Sequence, residues 1–218
     1  MTDSSNNYKT RILIADDHDV VRSGLTNILE AQAKWAVVGE ASDGKEAIRM
    51  AVELKPDVAI LDYSLPLING VEATRQIRAR VPSVEVLIFT MHDSESLIYD
   101  LLKAGARGYL LKSDAKRYLI TAIESLAAHK PFFTAKVSET LLESYLVKPD
   151  SVECVLTGRE RSVIQLIAEG HSNKQIANVL NISVKTVETH RAAAMRKLNI
   201  SSAAGLVRYA VRNRIVEA

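Results

Sequence analysis

A chain of 218 residues, with 47% hydrophobic and 25% charged residues, has the length and composition of a globular protein of one large or two smaller domains. Its net charge of +2 hides an asymmetry: residues 1–127 hold 15 basic and 18 acidic residues (net −3), whereas residues 155–218 hold 10 and 4 (net +6), which predicts a polyanionic partner for the C-terminal part. A polar N-terminus, one cysteine (Cys154) and no run near the roughly 20 apolar residues of a membrane helix argue against a secreted or membrane-bound protein and favour the cytoplasm.

Five short runs of aliphatic and β-branched residues alternate with helical stretches over the first 127 residues. They are apolar throughout, as parallel strands covered on both faces are. Apolar residues at helical spacing predict helices near 19–32, 44–54, 69–80, 95–104 and 115–128. Together they predict an α/β fold, a flavodoxin-like (βα)5 sheet in the order 2-1-3-4-5. The predicted strands are Arg11–Ala15, Trp35–Gly39, Val58–Leu61, Val84–Phe89 and Gly108–Leu111.

The remaining chain changes character twice. Residues 129–154 contain one amphipathic segment, Ala135–Leu146, and are interpreted as a linker with a helix. Residues 155–218 have no strand signal and predict a small all-α domain of four helices. Its helices open at Thr157 and Ser172, each with Glu or Gln three residues later as in a capping box, at Ser183, and at Ser201 or Ser202. We therefore divide the chain into domains at 1–128 and 155–218.

Chemically capable side chains stand at four predicted strand ends. Asp16 and Asp17 follow the first strand, Asp62 the third, Thr90 the fourth and Lys112 the fifth. In an open α/β sheet these ends meet at the ligand-binding crevice. Three carboxylates there repel each other unless a cation lies between them, and oxygen ligands suit Mg²⁺, with Mn²⁺ as an alternative.

This set suits phosphoryl transfer. Asp62 can attack a phosphoryl group while the metal and Lys112 neutralise its oxygens and the Thr90 hydroxyl binds one of them. Each residue also has an ordinary structural interpretation: Asp17 or Asp19 could cap a helix, and a lone lysine is usually solvated. Their occurrence together favours a site.

On these residues, and on Leu65-Pro66-Leu-Ile-Asn69-Gly70 after Asp62, residues 11–128 resemble the receiver domain of response regulators. The resemblance implies that Asp62 is phosphorylated by a sensor histidine kinase. It also implies that Asp17, Asp62 and the backbone carbonyl of Ser64 bind Mg²⁺ directly, with Asp16 acting through water. Tyr109 falls at the position of the switch aromatic residue coupled to Thr90. Ser113 departs from the proline that many receivers have, and His92 lies where the family varies and could tune the lifetime of the phosphate.

The helices Asn173–Leu180 and Val184–Leu198, joined by a three-residue turn, have the helix-turn-helix arrangement, whose second helix enters the major groove. The segments Leu156-Thr-Gly-Arg-Glu160, Asn173-Lys-Gln-Ile-Ala177 and Ser183 to His190 resemble the LuxR-type domain. A receiver followed by such a domain is the organisation of the NarL/FixJ subfamily.

Helical spacing places Val187, Ala194, Met195 and Leu198 against the core. Glu188 can accept from cytosine N4, and Ala192 can pack on a thymine methyl group. Phosphate contacts position the domain without reading sequence, and we assign them to Lys174, Lys185, Arg191 and Arg196. The outward residues expected near base edges are Lys185, Thr186, Glu188, Thr189, Arg191 and Ala192.

These interpretations predict a transcriptional regulator that binds double-stranded DNA and catalyses only its own phosphorylation and slow dephosphorylation. Phosphorylation is expected to favour a homodimer and to free a recognition helix covered by the receiver. One alternative is an Mg²⁺-dependent phosphohydrolase with an aspartyl phosphate, although Ser64 stands where such enzymes need a second aspartate as acid/base. Another is a receiver that acts only through protein contacts.

Overall fold

A computed structural model of the chain describes residues 9–92, 95–146, 156–213 and 215–216. The last part of the predicted linker, residues 147–154, and the end of the last helix near Arg214 lie outside the described residues. The strands are β1 (Thr10–Ala15), β2 (Trp35–Ala41), β3 (Val58–Leu61), β4 (Glu85–Thr90), β5 (Gly108–Leu111) and β6 (Phe132–Phe133). The helices are α1 (Asp19–Glu30), α2 (Gly44–Leu54), α3 (Gly70–Arg80), α4 (Glu95–Ala104), α5 (Ala115–Ala127), α6 (Ala135–Leu146), α7 (Gly158–Ala168), α8 (Asn173–Leu180), α9 (Val184–Lys197) and α10 (Ala203–Arg212).

All neighbouring strands pair in parallel, in the order β2-β1-β3-β4-β5-β6. Every residue of β3 and β4 is buried, because helices cover both faces of the sheet. The predicted fold class, an α/β receiver followed by a helical domain, is confirmed.

The sixth strand was not predicted. Phe132 and Phe133 pair with Gly108 and Tyr109 of β5, and two residues are too few to show a period. Val137 of α6 is buried in the same core, so the first part of the predicted linker packs on the sheet domain.

The C-terminal helices form where their caps direct them. The side chains of Thr157 and Ser172 complete capping boxes, and those of Ser183 and Ser202 accept from the backbone amides of Thr186 and Gly205. Neither Asp17 nor Asp19 caps α1, because His18 is at the N-cap position of that helix and no side chain caps it. Within the described part of the chain, no helix combines the length and the apolarity needed to cross a bilayer.

Candidate phosphorylation site and nucleic-acid interface

The carboxyl ends of four strands bring the predicted groups to one edge of the sheet. Asp16 is 1% exposed after β1, Asp62 is 4% exposed after β3, and Thr90 ends β4 fully buried. A cavity of about 200 Å³ opens beside them. It is lined by His18, Val21, Asp62, Ser64, Thr90, Met91, His92 and Lys112.

Lys112 joins two of the carboxylates. Its ammonium donates to Asp62 Oδ2 at 2.9 Å and lies 2.7 Å from Asp16 Oδ2. The other oxygen of Asp62 accepts from the Tyr63 amide at 2.6 Å. Burial raises the pKa of Asp62, Lys112 lowers it, and the charge of Asp16 raises it again, with a net rise. The pKa of Lys112 is raised as well, since the two carboxylates outweigh the effect of its burial.

The acidic residues fit a divalent cation. Asp16 Oδ2 and Asp17 Oδ1 are buried, with the Lys112 ammonium 2.7 Å from the first and His18 Nδ1 2.8 Å from the second. Carboxylate oxygens are the ligands that Mg²⁺ prefers. Ligand atoms of Asp16, Asp17 and His18 lie within 4.8 Å of one another. Asp62 is not part of that group and pairs with Lys112, as Asp16 does. A metal shared by Asp17 and Asp62 stays a prediction.

Thr90 and His92 line another part of the cavity, and Tyr109 contacts His92. Thr90 Oγ1 accepts from the amide of His92 at 3.2 Å, and the Tyr109 hydroxyl donates to the His92 carbonyl. Tyr109 is 2% exposed and thus lies in its inward orientation. His92 Nε2 and Ser64 Oγ are 2.9 Å apart, so the variable histidine contacts the loop that follows Asp62.

That loop, residues 63–69, is held close to Asp62. The Gly70 amide donates to the Tyr63 carbonyl at 2.9 Å. A Cβ at Gly70 would lie 2.4 Å from the Asp62 carbonyl oxygen, so only glycine fits. Leu67 has a φ of 64°, a left-handed conformation that is unfavourable for a leucine and must be held by its surroundings.

The predicted recognition helix is α9. Val187 and Ala194 are fully buried, and Met195 and Leu198 pack on the same domain's core. The Thr189 hydroxyl donates to the Lys185 carbonyl, which leaves its oxygen as an acceptor. Of the predicted DNA-facing residues, Lys174, Lys185, Glu188, Thr189, Ala192 and Arg196 are exposed, whereas Thr186 and Arg191 are half-buried.

The receiver does not cover this surface, so the prediction of an occluded recognition helix is wrong for this arrangement. Instead it contacts α7 and the end of α8. Arg161 donates to the Tyr63 hydroxyl at 3.1 Å, and Arg159 lies 3.2 Å from Glu72. Val179 packs against the core of the receiver.

Sequence reasoning missed the residues that join the two halves. Gln165 of α7 is 2% exposed, and its carboxamide binds the loop 63–69. The available signal was a glutamine between Ile164 and Leu166 in an apolar stretch. Its partner was not deducible, because they are 100 residues apart.

Comparisons with known proteins agree with this geometry. Residues 12–124 match the family described as "Response regulator receiver domain", and residues 154–210 match "Bacterial regulatory proteins, luxR family". The first match spans more than half of the chain. The chain belongs to the response regulators that join a receiver to a LuxR-type helix-turn-helix domain, which confirms the resemblance found in its motifs.

Full-length relatives share this organisation. Oxygen regulatory protein NreC of Staphylococcus epidermidis is 38% identical over 95% of this chain and 99% of its own length. Transcriptional regulatory protein DegU of Brevibacillus brevis is 35% identical over 98% of each. The structure of RcsB from Salmonella enterica serovar Typhimurium bound to promoter rprA in the presence of phosphomimetic BeF3⁻ is similar with a TM-score of 0.68, 29% identity, and coverage of 92% of this chain and 98% of that one. The chain is thus a transcriptional response regulator.

Proposed function

We propose that Asp62 accepts a phosphoryl group from a sensor histidine kinase and that the modified receiver controls DNA binding by the C-terminal domain. The observation that carries the proposal is the placement of Asp62 and Asp16 around one ammonium group, Lys112, beside a small open cavity. An incoming phosphoryl group provides the anion that such a lysine can bind.

In the transfer, the bond from phosphorus to the kinase histidine breaks as a carboxylate oxygen of Asp62 forms a new bond to phosphorus. The histidine nitrogen keeps the electron pair of the broken bond. Lys112 then neutralises phosphoryl oxygens, and the hydroxyl of Thr90 donates to one of them after exchanging its present contact with the His92 amide.

Mg²⁺, or Mn²⁺, belongs to this proposal, held by Asp17, Asp62 and the backbone carbonyl of Ser64, with Asp16 acting through water. When bound, the metal neutralises charge on the transferring group. The grouping of carboxylate oxygens of Asp16 and Asp17 within 4.8 Å supports its placement.

The chain is proposed to dephosphorylate itself slowly and to catalyse nothing else. Ser64 offers a hydroxyl, bonded to His92, where a hydrolase of this chemistry needs a carboxylic acid. A cytoplasmic location and a phosphorylation-dependent homodimer, meeting two half-sites about one helical turn apart, complete the proposal.

The first experiment incubates the protein with acetyl phosphate and Mg²⁺ and measures its intact mass. We expect one phosphoryl group on the wild type and none on Asp62→Asn. Continued release of phosphate in many turnovers would instead favour the hydrolase alternative. An unchanged wild-type mass, both with acetyl phosphate and with sensor kinases, would refute the assignment of Asp62.

The second experiment selects genomic DNA fragments with the phosphorylated protein and compares phosphorylated wild type with Asp62→Asn in gel shifts. Tighter binding and dimerisation by the phosphorylated form are expected. Equal binding and dimerisation by the variant would disprove the coupling, and failure to retain any fragment would favour a receiver that acts through protein contacts.

A further inference from the structure

We infer that Gln165, in the DNA-binding half, positions the metal-binding loop of the phosphorylation site. The side chain carries two N–H donors and one carbonyl acceptor. Its Nε2 donates to the Leu65 carbonyl at 2.9 Å and to Glu169 Oε1 at 2.8 Å, and its Oε1 accepts from Asn69 Nδ2 at 2.9 Å. One buried amide thus binds the loop both near its start, at Leu65, and at its end, at Asn69.

The gripped segment is the one that the proposed metal site uses. Leu65 directly follows Ser64, whose carbonyl is the proposed ligand, so only the φ and ψ of Leu65 separate the held carbonyl from the ligating peptide. The inference therefore rests on the proposed function. At the other end, Asn69 also caps α3 by accepting from the Glu72 amide at 3.0 Å, which makes it a fixed anchor.

A second contact from the same helix end stabilises the loop's unfavourable backbone. Glu169 Oε2 accepts from the amide of Leu67, the residue with positive φ, at 3.3 Å. The Leu67 side chain packs against the C-terminal domain's core around Val163 and Leu166. Docking of α7 thereby selects a loop conformation that leucine rarely adopts by itself.

The buried amide of Gln165 finds most of its hydrogen-bond partners outside its own domain. A buried amide is costly unless its hydrogen bonds are made, and two of its three bonds go to the receiver. Gln165 is thus a positioning residue that acts through the loop and does not touch the phosphoryl group.

Docking of the two halves and binding of Mg²⁺ are thermodynamically linked. If docking holds the loop in the conformation that binds Mg²⁺, then docking raises Mg²⁺ affinity, and Mg²⁺ favours docking by the same factor. The DNA-binding half becomes a structural part of the phosphorylation site.

The test measures Mg²⁺ affinity of the full chain by isothermal titration calorimetry. Gln165→Met keeps the length of the side chain and removes its polar atoms, and we expect it to weaken Mg²⁺ binding about tenfold, as loss of a partner behind a metal ligand does. Glu169→Ala, at the partly exposed end of α7, is a second variant that should fold normally and weaken binding by a smaller factor. Asn178→Ala is the matched control, since this exposed amide lies on α8 in the wall of the groove between the halves.

Phosphorylation by acetyl phosphate separates positioning from mere loss of stability. The rate of Gln165→Met should fall below wild type at limiting Mg²⁺ and recover at saturating Mg²⁺. Wild-type Mg²⁺ affinity in both Gln165→Met and Glu169→Ala overturns the inference, as does an equal loss in Asn178→Ala. Failure of wild type itself to bind Mg²⁺ or take up phosphate refutes the proposed function instead.

Discussion

Two buried carboxylates, one in each half of the chain, have pKa values displaced in opposite directions. Asp62 and Glu160 are each 4% exposed, and burial opposes the charge of both. Glu160 accepts from Lys197 at 2.8 Å and from the Thr157 amide at 2.7 Å, which outweigh its burial and lower its pKa. The pKa of Asp62 is raised because its burial, with the charge of Asp16, outweighs the contact with Lys112.

Equal exposure therefore has different consequences: burial outweighs the favourable contacts of Asp62, whereas the contacts of Glu160 outweigh its burial. In the C-terminal half, a carboxylate with its own cation and capping amide holds α7 to α9. In the receiver, a surplus of negative charge is retained where a cation and a phosphoryl group are proposed to bind. Binding sites commonly retain such unfavourable charge at the expense of stability.

The largest expected effect is that of Lys112→Ala. It leaves Asp16 and Asp62 buried without their cation, and we expect a loss of about 3 kcal/mol in the free energy of unfolding at pH 7 without Mg²⁺. Urea denaturation measures it, and added Mg²⁺ should restore part of the loss. The exposed Lys116, four residues on, is the control, and Lys116→Ala should change stability by less than about 0.5 kcal/mol. Similar values for both variants would contradict the shared ion pair.

Glu160→Gln is next in size. Gln keeps a capping side chain but loses the charge-assisted contact with Lys197, and we expect a loss of about 1.5 kcal/mol at pH 7. Because the folded pKa lies below the ordinary 4.5, the charge stabilises the fold above pH 4.5, and this stability is lost as the pH falls through the folded pKa. Thermal unfolding as a function of pH should therefore bring wild type and variant together in acid. A constant difference would contradict the assignment.

Asp62→Asn should act in the opposite direction and stabilise the protein by about 1 kcal/mol at pH 7 without metal. The folded pKa of Asp62 is raised above its ordinary 3.8, so ionisation costs stability as the pH rises above 3.8, and the advantage of the variant vanishes below that pH. Calorimetry at several pH values measures this. Mg²⁺ should stabilise wild type more than the variant. A variant less stable than wild type in metal-free buffer at pH 7 would show that the charged form of Asp62 does not destabilise the fold.

The DNA-facing charges of α9 should affect stability least. Arg191→Ala is expected to change the free energy of unfolding by less than about 0.5 kcal/mol. It should weaken DNA binding by roughly 1 kcal/mol and reduce the slope of the logarithm of the binding constant against the logarithm of the salt concentration by about one. Fluorescence anisotropy at several salt concentrations measures the slope. Lys116→Ala serves again as the control, and an unaltered slope in Arg191→Ala would remove Arg191 from the phosphate contacts.

Sequence patterns predicted most of the elements because their signals are local. Apolar runs located β1 to β5, and serines or threonines followed three residues later by Glu or Gln located α7 and α8. β6 was not predicted, because Phe132 and Phe133 form a strand only by pairing with β5. The strand-end rule also brought Asp16, Asp62 and Lys112 to one edge, since all parallel strands of a sheet end on the same side.

By itself, the sequence determined all the helices and strands but β6, the order of the two domains, and which charged residues meet at the sheet edge, since each follows from periodicity, caps or parallel topology. Only the tertiary structure shows that the Lys112 ammonium lies between the carboxylates of Asp16 and Asp62 and that α9 is exposed. The same is true of the hydrogen bond from Gln165 to the loop after Asp62. These outcomes depend on distances between residues far apart in the chain. Such distances are set only when the elements pack against each other, and no local pattern records that packing.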